Sequence, residues 1–432
     1  MRVGESGRFE PVLAEKWRIA DDRRTLLLTL RSNVKFHDGS PFDADTVSRI
    51  LPEGLRSFWG SLVENVESVT ALDKRTVKIT FRRASPLLQE MLEVVMRKPG
   101  AAMVGTGPFV VDQNSITAFH ANRDYYFGSP RISEVQVANF PTTRTAWAEL
   151  LRNRIDMLWE VGPDALDSLT SSTTVSLFTY VRHYQYILAF NTEAPSLRSS
   201  AIRRALNLAV DRDALVARAL NGHAISSSGP VWPRYWALRT QSSPMEFDPA
   251  RAAHMINAGR HGAEPMLRFT CLTLTDAPYE RMALELKRQL QAVGVEMDVR
   301  ALAANELFEA ERAKKFDAVL IDTISGPTVL RVYYAWHSRS EGNQGGFGNA
   351  TVDSAFDRVL GAENETAYRQ AVNDLEQAFK DDPPALFLAW EQRARAVSKR
   401  FAVPAPEPGR DVMTTLRLWS PRNNDTRFAS RN

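Results

Sequence analysis

The sequence predicts a mixed α/β protein with at least two lobes, on three observations. Its first part alternates in the manner of strands, as in Thr25 to Arg31, with turn residues between the runs. Its second part is dominated by capped helices that alternate with short apolar runs at Phe316 to Asp322 and Ala385 to Trp390. The chain has 432 residues, more than one hydrophobic core holds, because single cores stop growing near ~250–300 residues. With 44% apolar and 24% charged residues, a disordered or collagenous chain is excluded.

Thr25 to Arg31 is followed by Val34-Lys35-Phe36 and then by His37-Asp38-Gly39-Ser40-Pro41, where Gly allows positive φ and Pro fixes the next bend. Asp43 or Asp45 can cap a helix through Ile50. A β pair is expected at Val66 to Leu72 and Thr76 to Phe81. Small residues, Pro and Gly between Lys98 and Gly107 mark a boundary. Strands are expected at Phe109 to Gln113, Ile116 to His120 and Val135 to Phe140, with a helix over Thr143 to Arg154. Tyr186 to Phe190 reads as a strand closed by the loop Asn191 to Pro195. Ser200 can cap a helix to Val210, and Asp211 a second one from Arg212 to Leu220, with Gly222 placed as its C′ glycine. Beyond these come a helix over Ala277 to Val293, a strand at Val295 to Val299, and helices at Val352 to Leu360 and Thr366 to Phe379.

Several function classes find no footing. The formal charge is only +3 and its residues are spread along the chain, which is not the footprint of a nucleic-acid binder. The lone Cys271 excludes an intrachain disulfide and a multi-cysteine metal cluster. No apolar run approaches the ~20 residues of a membrane span. Gly105-Thr-Gly107-Pro-Phe-Val110 starts like a dinucleotide loop, but Val110 stands at the third glycine and Pro108 where a helix should begin, so it reads as a turn. The histidines at 37, 120, 183, 223, 254, 261 and 337 show no metal-ligand spacing. Ser226 to Gly229 lacks the spacing of a nucleophile elbow. These residues make no positive case for a catalytic, cofactor or metal site.

The order of motifs resembles the family 5 extracellular solute-binding proteins, the peptide and nickel receptors of bacterial ABC importers. The resemblance is carried by Pro11-Val-Leu-Ala-Glu-Lys-Trp17, Val34-Lys-Phe-His-Asp-Gly39, Gly105-Thr-Gly-Pro-Phe109 and Asn122-Arg-Asp-Tyr-Tyr126. It continues through Phe190-Asn191-Thr192, Ile202 to Arg212, Gly229-Pro-Val231, Phe247-Asp-Pro-Ala-Arg251 and Phe316-Asp-Ala-Val319, over nearly the whole chain. It implies two α/β lobes joined by a hinge, with an extra β-rich subdomain in lobe one. The expected division is 1–13 as the start of lobe one, 14–104 as a reduced subdomain, 105–189 as lobe one, 190–394 as lobe two and 395–432 as a return to lobe one. The Asn191 to Pro195 loop would mark a lobe crossing. The implied role is capture of a peptide-like or other polar organic ligand between the lobes for an ABC permease, by a monomer working in the periplasm or outside the cell. A secretion signal and the family's first strand would precede Val3, since MRVGESGRFEP has no apolar h-region. The alternative is a ligand-sensing module of a transcriptional regulator, which would require a helix-turn-helix that these residues do not contain.

The resemblance also places a site. In peptide-binding members, a strand beginning with Phe-Asp leads to a Gly-Trp-x-x-Asp stretch whose Asp receives the peptide's α-amino group. The corresponding residues here are Asp322, Thr323, Ile324, Ser325 and Gly326, so the carboxylate position is Gly326 and Asp322 is the available substitute. Trp390 meets the family's late aromatic position, as a ligand stacker or as core, and Glu391 beside it could hold a cationic group. Tyr334 and Trp336, in the aromatic run Tyr333 to His337 with Arg331, suit a planar, sugar-like or carboxylate-bearing ligand. Trp232, Tyr235 and Trp236 are weaker candidates from a loop.

Overall fold

Two long strands organise the molecule. In the computed structural model, which describes residues 1–422 apart from 99, 102, 239–244, 260–265 and 344, Val175–Phe190 and Ala385–Ser398 run antiparallel at the centre of a seven-stranded sheet. Position 261, one of the histidines above, lies outside the described residues. The sheet order is Met157–Leu158, Ala385–Ser398, Val175–Phe190, Ala318–Ile324, Leu267–Leu274 and Val295–Leu302, with Ala224–Ser226 also paired to Ala385–Ser398. Leu267–Leu274 and Val295–Leu302 are parallel and joined by helix Ala277–Gln291, a βαβ crossover.

The long strands belong to two cores. Tyr186, Leu188 and Phe190 pack with Leu206, Leu215, Met282, Leu286 and Leu320, whereas Val175, in the same strand, packs with Leu150, Leu158, Leu166 and Ala396. Val412 and Trp419 lie against Val397, returning the end of the described chain to the second of these regions. The register breaks between the two cores. Val175–Val181 pair with Ser398–Gln392 and Gln185–Ala189 with Trp390–Ala385, so Arg182, His183 and Tyr184 stand opposite Glu391 alone. Such a bulge bends and twists a ribbon locally. In the Asn191 to Pro195 loop, Asn191 N–H donates to Asp317 O at 2.8 Å and its side-chain amide to Phe316 O at 2.9 Å.

The β-rich part is an antiparallel sheet ordered Ala14–Ile19, Thr25–Leu30, Thr76–Phe81, Val66–Ala71. Helix Ala44–Trp59 packs with it, capped by Asp43, whose carboxylate accepts from Thr46 N–H at 2.9 Å. The helix runs nine residues past the predicted Ile50 and through Pro52. The buried stripe Val47, Ile50, Leu51, Leu55, Trp59 continues at helical spacing, and that burial outweighs one lost backbone bond. Three further expectations are corrected in detail. Ser199, not Ser200, is the N-cap residue and makes no side-chain cap bond. Asn221 at φ 52° takes the C′ position expected for Gly222, which follows at φ 79° and donates to Val216 O at 3.0 Å. Both central strands are far longer than predicted, because their polar stretches around Arg182 and Arg393 do not look like buried strand.

Candidate ligand-binding site at the lobe crossing

A half-buried charge network centred on the buried Glu391 lies at the bulge. Glu391, 2% exposed, accepts from Arg182 Nη1 at 2.6 Å and from Tyr186 O–H at 2.8 Å, and it also pairs with Arg393. Arg393 in turn pairs with Glu160, and Arg182 reaches toward Asp322 at 3.9 Å. Asp322 accepts from Tyr279 O–H at 2.5 Å, and the guanidinium of Arg182 lies 3.7 Å over the Tyr184 ring. Burial pushes the Glu391 carboxyl up to about 6 although Arg182 and Tyr186 pull it down. The same burial lowers Arg393 to about 10.

The opposite side of the bulge is aromatic. Trp232 meets Trp390 edge-on at 4.8 Å and His183 at 4.9 Å. Gly326 lets the backbone approach this pair: a Cβ there would stand 3.2 Å from Trp232 Cβ and 3.3 Å from Trp390 Cζ3. Ser325 and Gly326 both donate their N–H to His183 O at 3.1 Å, locking the end of Ala318–Ile324 onto the bulge.

Further out, the β-rich subdomain touches the helices after residue 328. Glu90 is buried there. It accepts from Leu330 N–H at 2.9 Å and from Tyr235 O–H at 3.1 Å, and Tyr235 is bonded to Tyr368 at 2.7 Å. No cation pairs with it among the described residues, and burial pushes its carboxyl up to about 7. A cavity of about 580 Å³ adjoins this contact, with Trp17, Gln89 and Glu90 on one wall and Tyr235, Trp236 and Tyr368 on the other. Beside it, Arg331 on helix Val329–Trp336 crosses the interface, its guanidinium 4.5 Å from the ring of Phe58 and 4.4 Å from that of Trp59.

The eight predicted contacts separate into groups. Asp322 and Glu391 come together in the charge network. Thr323 pairs with Gln185 and Ile324 with Tyr184, and Ile324 is exposed. Tyr334 is half-buried on the helix that carries Arg331. Ser325 is buried; Trp336 packs edge-on against Phe387 at 5.7 Å, and Trp390 is wholly enclosed, so neither indole offers an open face for stacking. None of the eight lines the cavity, whereas the loop candidates Tyr235 and Trp236 do. Arg182, Tyr184, Tyr279, Arg393 and Glu90 were not anticipated. The legible signals were an arginine and a histidine inside a strand-like run, and a lone acid within Leu87 to Leu92.

Two α/β cores joined by a pair of crossing strands, with buried polar groups gathered at the crossing, define a solute-binding protein of the two-lobe kind. Residues 8–345 match the model of the bacterial extracellular solute-binding proteins, family 5 Middle, and the chain belongs to family 5. It is a substrate-binding subunit of an ABC uptake transporter, and nothing among its relatives supports the regulator alternative. It is 24% identical over 436 residues to the nickel-binding periplasmic protein of Escherichia coli (strain K12), covering 89% of this chain and 81% of that one. Its fold is similar to that of NikZ from Campylobacter jejuni in complex with Ni(L-His), with a TM-score of 0.82, 21% identity and coverage of 97% and 92%. It is likewise similar to the oligopeptide-binding protein AppA from Bacillus subtilis in complex with a nonapeptide, with a TM-score of 0.79, 19% identity and coverage of 98% and 92%.

Proposed function

We propose that this protein captures a peptide-like or other polar organic solute between its lobes, outside the cytoplasm, and presents the closed form to a membrane permease. The observation that carries this reading is the register break of 182–184 against 391, between the parts of the two long strands that pack in different cores. Ligand contacts made by both lobes exist only in the closed form, so binding selects it. Asp322, Glu391, Thr323, Ile324 and Tyr334 are the proposed contacts from the sequence, joined by Arg182 and Tyr184. Ser325, Trp336 and Trp390 hold the frame. The protein acts as a monomer and without catalysis. The relatives' nickel–histidine and peptide ligands share amine and carboxylate groups, which suit a crossing lined by both charge signs.

Calorimetric titration with free peptides and with Ni(II)–L-histidine tests this, paired with small-angle scattering. One of these solutes should bind and shrink the radius of gyration. Binding with an unchanged radius, or no binding by any of them together with an empty native mass spectrum of the purified protein, would overturn it.

A further inference from the structure

We propose that Trp159 is a specificity platform beside the crossing, stacking on an aromatic ring of the captured solute; the assignment rests on capture between the lobes. Of the nine tryptophans only Trp159 is exposed, at 62%. Leu158 before it is buried in the core shared with Leu150 and Leu166. Trp159 lies one alternation beyond Met157, on the sheet face that Met157 and Phe178 share with Val412 and Trp419. Arg395, two residues from Val397 on the facing strand, lies against its ring. Along Val175–Phe190 the same face runs from Phe178 through Tyr180 to Arg182, so it leads from Trp159 to the charge network at the bulge.

The exposed indole is held rigidly. The buried Arg395 lies 3.6 Å over its ring and donates to its backbone O, and Arg395 is itself fixed by bonds from Nε and Nη2 to Asp411 at 3.2 and 2.6 Å. The next residue, Glu160, pairs with Arg393. An aromatic anchor fixed in advance loses little freedom on binding, which is what a stacking platform requires. The cation behind it also selects what stacks. A guanidinium on one face draws the ring's π density and leaves the far face less negative. That face repels a cation and offers an anion no N–H donor, but it suits the offset stacking of a second flat ring, such as a phenyl, phenol or indole side chain. Four residues along the strand separate Arg395 from Glu391, about 13 Å at the rise of a β-strand. A solute that reaches both the network and Trp159 is therefore at least of dipeptide length.

The test uses matched pairs, Ala-Phe and Ala-Ala-Phe against the same peptides carrying cyclohexylalanine, which keeps the bulk of the ring and removes its π system. Each is titrated into wild type, W159F and W159L. Wild type should bind the aromatic member about five-fold tighter or more. W159L should bring the two members within about two-fold of each other while keeping the affinity for the cyclohexyl member, and W159F should retain part of the preference. Iodide quenching gives a second readout, since iodide reaches the emission of Trp159 in wild type and the bound phenylalanyl peptide should shield it. Equal binding of both members by wild type, a preference that survives in W159L, or binding without shielding overturns the assignment and leaves solute capture standing. A merely structural Trp159 would lower thermal stability in both variants without moving the ratio, and that result overturns it too. No binding by any of these peptides to the folded wild type overturns the assignment and counts against capture of peptides as well.

Discussion

Glu391 and Glu90 are buried carboxyls at two ends of the same interface, and they are held in opposite ways. At the crossing, Glu391 is surrounded by Arg182, Arg393 and Tyr186, and its proton affinity rises only to about 6. At the subdomain contact, Glu90 meets neutral donors among the described residues, Leu330 N–H, Tyr235 O–H and the Thr328 hydroxyl, and rises to about 7. The crossing thus offsets burial by pairing its acid with cations, while the subdomain contact leaves burial to raise its acid's proton affinity. A paired charge fixes orientation where two strands bend. A protonated acid joins two surfaces without an ion's desolvation cost.

The largest effect should come from Glu391→Ala, which leaves the half-buried Arg182 and Arg393, among the described residues, with Asp322 and Glu160 to share. Loss of one member of a buried ion network costs about 3–5 kcal/mol. Urea unfolding should show that loss. A change below about 1 kcal/mol would mean that the network is solvated and that the contrast with Glu90 is empty.

Glu90→Gln should act with the opposite sign at high pH. The unfolded acid releases its proton near 4.5 and the folded one near 7, so Glu90's contribution to stability is full below pH 4.5 and is lost as pH rises through 7. The interval is worth ~3 kcal/mol at 1.36 kcal/mol per pH unit. The amide keeps an acceptor for Leu330 N–H without titrating, and its N–H2 can donate to Tyr235 if that hydroxyl turns its own O–H to Tyr368. Its stability relative to wild type should therefore climb between pH 5 and pH 8 by about 3 kcal/mol. A flat difference between the two proteins across that range would show that Glu90 is ionised in the fold.

The two ends also differed in how far they could be read from sequence. The elements with local signals were legible: the alternating Thr25–Leu30, the Asp43 and Asp211 caps, and the helix ending before Gly294. Asp322 and Glu391 could be singled out because the order of motifs placed them. The residues that give those two their chemistry could not. Arg182 meets Glu391 across 209 positions and Tyr279 meets Asp322 across 43, and no local pattern encodes such pairings. The first part of the strand from Val175, before Tyr186, was missed for a related reason: its charges break the alternation by which a half-buried strand is recognised. Trp390 illustrates the converse. Its sequence position allowed stacking on ligand or core packing equally, and no local signal showed that the Trp232 ring and the Gly326 backbone would lie against it.

Two glycines offer the smallest and cleanest contrast between the ends. Gly326 lies under Trp232 and Trp390, where a Cβ would sit at 3.2–3.3 Å from both side chains. Those indoles are fully buried and cannot swing away, so Gly326→Ala should cost about 1–3 kcal/mol by overpacking the crossing. Gly54 lies inside helix Ala44–Trp59 on the subdomain side, and the nearest atom a Cβ would meet there is Val95 O at 3.9 Å. Room and helical φ together mean that Gly54→Ala should stabilise the protein by about 0.5–1 kcal/mol, chiefly by restricting the unfolded chain. Differential scanning calorimetry on the two single variants and the double variant checks both signs, and the effects should add because the two sites share no neighbour among these contacts. A loss at Gly54 of the size expected at Gly326 would mean that the subdomain face is packed as tightly as the crossing, and that the looser, proton-bearing contact at Glu90 is not a general property of that end.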